Sequence, residues 1–193
     1  MDNIVDATGL SCPQPVVVTK KALEQLTGGK LVTIVDNEAA RDNVVKLAKS
    51  LAMDVQVEQQ EDRYHVHIYR EDIQGLSRSA DEKTAVMLFG DNVLGSGERE
   101  LGEVLIKSYF YTLVENDTKP RVLMFINQGV YLTCESSPVL SHLLALEKAG
   151  VEVLSCGTCL DFYQLKEKLC VGTVTNMYTI LENLMNAERA ITF

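Results

Sequence analysis

Two groups of cysteines are the residues here whose type and spacing could do chemistry: Cys12 in Cys12-Pro13-Gln14-Pro15, and the pair in Cys156-Gly157-Thr158-Cys159. The chemistry would be that of sulfur, because a thiolate both attacks sulfur and leaves from it. Ile4 to Thr8 reads as a short strand, Gly9-Leu10-Ser11 as a turn, and Val16 to Leu26 as a helix whose first turn holds both prolines. Proline fits there, since its missing N–H would have no intrahelical partner. Cys12 is therefore expected at or beside the helix N-cap, where free N–H groups and the positive dipole end favour a thiolate. A small apolar residue closing a helix start is the competing reading.

The Cys156/Cys159 pair follows a predicted strand, Val151 to Leu154, at the carboxyl edge where open α/β sheets carry their sites. Two sulfurs at this spacing can reach each other or one metal ion, and a nearby helix start again favours the thiolate. Asp161 reads as a helix N-cap whose charge would raise the Cys159 pKa, which makes Cys156 the better nucleophile. Zinc would need two further ligands, for which Cys134, Cys170 and His142 are only scattered candidates, so no metal is expected. Leu160 after the second cysteine removes the haem-attachment reading. Cys134, just before a helix, could face the same edge, whereas Cys170 reads as a core residue. His65 and His67 share one strand face and read as solvated or edge-packing, with no Cys, Asp or Glu ligand set evident beside them. Gly95-x-Gly97 lacks the further residues of a nucleotide-binding loop, and no cofactor is implied.

The elements that must position these thiols fall into two sets, within a chain of 193 residues that is 46% apolar. Residues 1–70 give the order βαβαββ, with a strand at 31–35, an amphipathic helix at 38–53, and strands 55–59 and 64–69 around Glu61-Asp62. This is an α/β two-layer sandwich with helices on one face. Residues 71–83 read as a polar linker. Residues 84–193 alternate apolar strands (85–89, 122–126, 151–154, 171–174, 190–193) with helices (98–114, one starting at Pro138, 161–169, 176–187). That pattern predicts a three-layer α/β/α domain with a mostly parallel sheet. Helix 98–114 is apolar nearly all round and reads as buried, its outer face fitting a subunit or domain contact, so a homo-oligomer is admitted. With 18 basic against 27 acidic residues and no basic run, nucleic-acid binding is disfavoured. No apolar run is long enough to span a bilayer and no leader pattern is present, so a cytoplasmic location without membrane attachment is expected. Five cysteines, an odd number, fit reactive thiols better than a disulfide framework.

The stretch Asp6-Ala7-Thr8-Gly9-Leu10-Ser11-Cys12-Pro13-Gln14-Pro15 resembles the signature of the TusA (SirA-like) sulfur carriers, over about the first 70 residues. The resemblance implies that Cys12 carries sulfur as a persulfide; Thr8 departs from the arginine of many members, which affects a phosphate or partner contact. Residues 84–193 are similar to the DsrE-like family. Ser155-Cys156-Gly157-Thr158-Cys159-Leu160-Asp161-Phe162-Tyr163 and Val171-Gly172-Thr173-Val174-Thr175-Asn176-Met177-Tyr178, behind a TusA-like domain, are similar to the YedF group, linked to selenium metabolism. The implied function is a carrier or transferase of sulfane sulfur or selenium. Its partners would be a donor such as a cysteine desulfurase and an acceptor protein. Cys12 would be loaded first, Cys156 would accept, and Cys159 would release the chalcogen by forming a disulfide. A thiol–disulfide oxidoreductase using Cys156 and Cys159, and a non-catalytic partner-binding module, stay open beside it.

Overall fold

A computed structural model describes residues 3–11, 13–26, 28–51, 53–70 and 85–193 of the chain. Two compact units, Met1–Arg78 and Ser79–Phe193, make it up. The expected linker, 71–83, lies outside the described residues. No helix among those described is long and apolar enough to cross a membrane.

Unit one runs β1 (Asn3–Asp6), α1 (Gln14–Gln25), β2 (Gly29–Val35), α2 (Glu38–Ser50), β3 (Asp54–Gln60) and β4 (Arg63–Arg70). Its sheet has the order β1-β2-β4-β3, with β1 parallel to β2 and the other neighbours antiparallel. Both helices cover one face, because alternation along β2 and β4 aims Leu31, Val66 and Ile68 at Leu23, Val44 and Ala48. The expected two-layer βαβαββ sandwich is the fold observed. A buried hydroxyl pair docks α1 on β2: Thr19 Oγ1 donates to the Pro15 carbonyl at 2.7 Å and lies 3.1 Å from Thr33 Oγ1. The far end of α1 is held by Arg70, whose Nη1 donates to the Leu23 and Leu26 carbonyls at 2.6 and 2.7 Å. Glu61, at φ +53°, closes the two-residue turn between β3 and β4. His65 and His67 share the open sheet face, beside one carboxylate. Glu58 stands opposite His65 in the ladder and its Oε2 lies 3.4 Å from His67 Nε2.

Unit two runs β5 (Ala85–Phe89), α3 (Arg99–Glu115), β6 (Val122–Phe125), a 3-10 helix (Asn127–Thr133), α4 (Leu140–Lys148), β7 (Glu152–Cys156), α5 (Gly157–Phe162), a 3-10 turn (Lys166–Lys168), β8 (Thr173–Thr175), α6 (Met177–Met185) and β9 (Arg189–Thr192). The sheet order is β8-β7-β6-β5-β9, and every neighbouring pair is parallel. Alternate residues of the apolar strands feed two cores. Phe89, Phe125 and Val153 face Phe110 and Leu143 on one side, while Val86, Met124 and Leu154 face Ile180 on the other. The result is the expected α/β/α sandwich. Phe89 is the hub of the larger core, its ring 4.8 to 5.3 Å from those of Phe110, Phe125 and Phe193. Burying each such ring contributes about 2 to 3 kcal/mol.

Four expectations are corrected here. Helix 161–169 is replaced by α5 and a short 3-10 turn, because Gln164 adopts φ +56° and ends the helical path. Asp161 lies inside α5 rather than capping it; Cys156 holds the N-cap position. Cys170 is exposed, not packed, with its sulfur 3.4 Å from the Lys168 carbonyl. Helix α3 is covered on one side only: Ile106 and Phe110 are fully buried, while Leu101 and Val104 are 57% and 58% exposed.

Candidate functional site

The motif loop of unit one is closed by two carboxylates. Asp6 Oδ1, at the end of β1, accepts from the Thr8 N–H at 3.0 Å and the Thr8 hydroxyl at 2.8 Å. Asp36 Oδ2, just past β2, accepts from the Gly9 N–H at 2.6 Å. Gly9 stands at φ +72°, the left-handed region that glycine enters without steric cost. These N–H donors hold both carboxyl groups below the ordinary aspartate value, the Thr8 N–H acting first on Asp6 and the Gly9 N–H first on Asp36. Thr8 spends its hydroxyl on this turn.

Cys12 itself lies outside the described residues. Around it, the start of α1 differs from the expectation of free donors. Gln14 N–H donates to the Ser11 carbonyl at 2.9 Å, and the Val16 and Val17 N–H groups donate to the Pro13 carbonyl at 3.1 and 3.2 Å. Pro13 and Pro15 have no N–H to offer. The first-turn donors are therefore spent, and the positive end of a 12-residue helix remains as the source of anion stabilisation. A groove of about 400 Å³ opens here, lined by Leu10, Ser11, Pro13, Pro15, Asp36 and Asn43 among others.

In unit two, the cysteine pair sits where β7 ends and α5 begins. Cys156 is buried, at 3% exposure, and Cys159 is half-buried one turn later. Two supports come from across the chain. The Asn127 N–H points at Cys159 Sγ from 3.0 Å, and the Tyr163 hydroxyl donates to Asn127 Oδ1 at 2.8 Å. Behind them, Thr133 Oγ1 and Ser155 Oγ form a buried pair at 2.8 Å, locking the Asn127–Thr133 segment to β7 beside Cys156.

Burial pushes the Cys159 thiol above its ordinary value, the Asn127 N–H opposes this, and the adjacent Cys156 sulfur adds to the rise. Asp161, expected to supply that push, is instead paired with Lys166 at 3.2 Å. Nor does α5, only six residues long, provide much of a dipole. Cys159 is the more accessible of the two residues, while its raised thiol agrees in direction with the expectation. Cys134 is 1% exposed within the larger core, and its thiol is raised by burial. Among the described residues no group of three His, Cys, Asp or Glu is placed to hold a metal ion.

Asn127 and Tyr163 escape a reading of the sequence. The available signals are slight: an asparagine directly after an apolar strand, and a tyrosine four residues after Cys159, hence on the same side of a helical turn.

Residues 3–70 match the family model described as Sulfurtransferase TusA. Over 50 residues the chain is 36% identical to YrkI of Bacillus subtilis strain 168, named as a candidate sulfur carrier protein, a stretch covering 25% of this chain and 67% of that one. Among solved structures, a SirA-like protein from Desulfitobacterium hafniense is 35% identical, covering 36% of this chain and 96% of its own, with a TM-score of 0.34. The ychN protein of E. coli is 18% identical, covering 57% and 99%, with a TM-score of 0.42. A Cys-Pro-Gln-Pro motif in a four-stranded βαβαββ unit and a relative matched over two thirds of its length thus lead to one conclusion: through residues 3–70, this chain belongs to the TusA sulfurtransferase family.

Proposed function

We propose that the chain is a thiol-based carrier of sulfane sulfur or selenium, loaded on Cys12 as a persulfide or selenopersulfide and unloaded through the Cys156/Cys159 pair. The observation that carries this is the Cys12-Pro13-Gln14-Pro15 motif within the matched family segment. The Cys12 thiolate attacks the outer sulfur of a donor persulfide, such as that of a cysteine desulfurase; the donor thiolate leaves and a new S–S bond stands on Cys12. Cys159, the accessible sulfur of its pair, takes the outer atom next, and Cys12 leaves as thiolate. Cys156 then attacks the Cys159 sulfur, hydrosulfide or hydroselenide departs, and a Cys156–Cys159 disulfide is left for an external thiol reductant to reopen. An acceptor protein could intercept the persulfide before that last step. Resemblance of residues 84–193 to DsrE-like proteins, and of the whole chain to the YedF group, supports the two-station arrangement and the selenium alternative.

The test is to supply reduced protein with a cysteine desulfurase and cysteine or selenocysteine, then map added mass by peptide mass spectrometry without reductant. One sulfur or selenium on Cys12 is expected, and Cys12→Ser abolishes loading of Cys159. Loading of Cys159 that survives Cys12→Ser would refute the relay. The placement of Cys156 at the N-cap of α5 and of Cys159 in its first turn favours a second reading, a dithiol redox protein. Its mark is a defined two-electron reduction potential with activity independent of Cys12, in a chain that gains no chalcogen.

A further inference from the structure

We infer that Tyr163 is a positioning residue for the Cys159 sulfur: by tying down Asn127 it fixes a backbone N–H aimed at that sulfur. Three hydrogen bonds close a ring. Cys159 Sγ receives the Asn127 N–H at 3.0 Å, Asn127 Oδ1 receives the Tyr163 hydroxyl at 2.8 Å, and the Tyr163 N–H returns to the Cys159 carbonyl at 3.0 Å. Tyr163 thus reaches Asn127 from the same helical turn that carries the thiol, so donor and sulfur keep their spacing if that turn shifts.

Asn127 needs such a tie. It stands at φ +49°, a left-handed conformation that a non-glycine residue adopts at a steric cost. Its neighbours are already pinned: the Ile126 N–H donates to the Phe89 carbonyl at 3.0 Å and the Gly129 N–H to the Ile126 carbonyl at 2.9 Å. The Ile126 carbonyl shares one planar peptide with the Asn127 N–H, so that unit is held at its oxygen, and the Tyr163 hydroxyl adds a second hold through the Asn127 side chain. The Tyr163 ring is itself buttressed by Tyr131 and Phe162, with ring centres 5.1 and 5.0 Å away. A sulfur anion on Cys159, whether thiolate or persulfide, is the species this N–H favours, because hydrogen bonds to a charged acceptor are the stronger ones.

The inference rests on Cys159 being the accepting sulfur, and its test separates the two. Alkylation of Cys159 in the full-length chain by iodoacetamide is followed by peptide mass spectrometry from about pH 6 to about pH 11, a range bracketing the ordinary thiol value. Tyr163→Phe keeps the ring and removes the hydroxyl; Asn127→Gly keeps the N–H and the left-handed backbone and removes the acceptor. Each is expected to raise the midpoint of the Cys159 profile by about half a pH unit, slowing alkylation at neutral pH about threefold. The double variant should match the singles, since both break one bond. Alkylation of exposed Cys170 should not change. Unshifted midpoints in both variants, or shifts that add, overturn the clamp. Shifted midpoints in a protein whose Cys159 gains no sulfur from a persulfide donor keep the clamp and remove the carrier reading.

Discussion

Replacing Gly129 by alanine would place a methyl carbon against backbone that has nowhere to go. The added Cβ would lie 2.2 Å from the Phe89 carbonyl oxygen and 3.0 Å from its carbon. Carbon approaches a carbonyl oxygen to about 3.3 Å at closest in folded proteins, so the Asn127–Thr133 segment would have to retreat by about 1 Å. Phe89 cannot yield instead, because its ring is the hub of the core and its oxygen accepts the Ile126 N–H. Overpacking of this kind costs about 1 to 3 kcal/mol, and weakening the Ile126 bond adds about 1 kcal/mol. Alanine returns up to about 1 kcal/mol by stiffening the unfolded chain. The net expectation is a loss of about 2 kcal/mol from unit two. Far-UV circular dichroism in urea suits a chain without tryptophan, and hydrogen exchange read by mass spectrometry would assign the loss to residues 85–193. A variant within about 0.5 kcal/mol of the parent, the ordinary range for an inert surface change, would refute the claim that this segment is wedged in place.

Arg70→Met removes two charge-assisted bonds from the end of α1 and should cost unit one about 1 to 2 kcal/mol in urea unfolding. Thr133 Oγ1 also donates to the Val130 carbonyl at 2.9 Å, so Ser155 must be the donor in their shared bond. Thr133→Val, which strands that buried donor, should therefore cost more than Ser155→Ala by about 1 kcal/mol, and equal losses would contradict the assignment. The carboxyl groups of Asp6 and Asp36 are depressed in the folded state, so their contribution is full above about pH 4 and is lost as pH falls through their lowered values. Asp36→Asn should accordingly flatten the acid limb of unit-one stability measured by denaturation below about pH 4.

What the sequence makes legible here is whatever periodicity carries. Ala85–Phe89 and Val122–Phe125 are unbroken apolar strands because both sheet faces are covered, and that demand is written residue by residue. Asn37 and Asn176 cap their helices through local bonds to Ala40 and Thr179, again a short-range signal. The supports of Cys159 are of another kind. Asn127 and Tyr163 lie 32 and 4 residues from it, and only the folded sheet brings the end of β6 beside the end of β7. The misjudged helix at 161–169 has a similar origin. Asp161 has the chemistry of a cap, yet the strand runs two residues further than its apolar run suggests and the helix starts on Cys156. At the start of α1 the sequence locates the helix, but not the backbone bonds that use up its donors.

The two sheets also differ in how their rims meet the surrounding water. In unit two the outermost strands are β8, with three residues, and β9, with four, so few unpaired peptide groups are available for another chain to zip onto. Unit one instead has the seven-residue β3 at one margin, long enough to template a foreign strand. Its defence is chemical: Asp54 and Glu58 stand among three glutamines, and charge along a margin makes pairing with a like copy repulsive. Swapping Asp54 and Glu58 for threonine would remove that repulsion while keeping the β-propensity of the strand, turning the rim of unit one into a nucleus for edge-to-edge assembly.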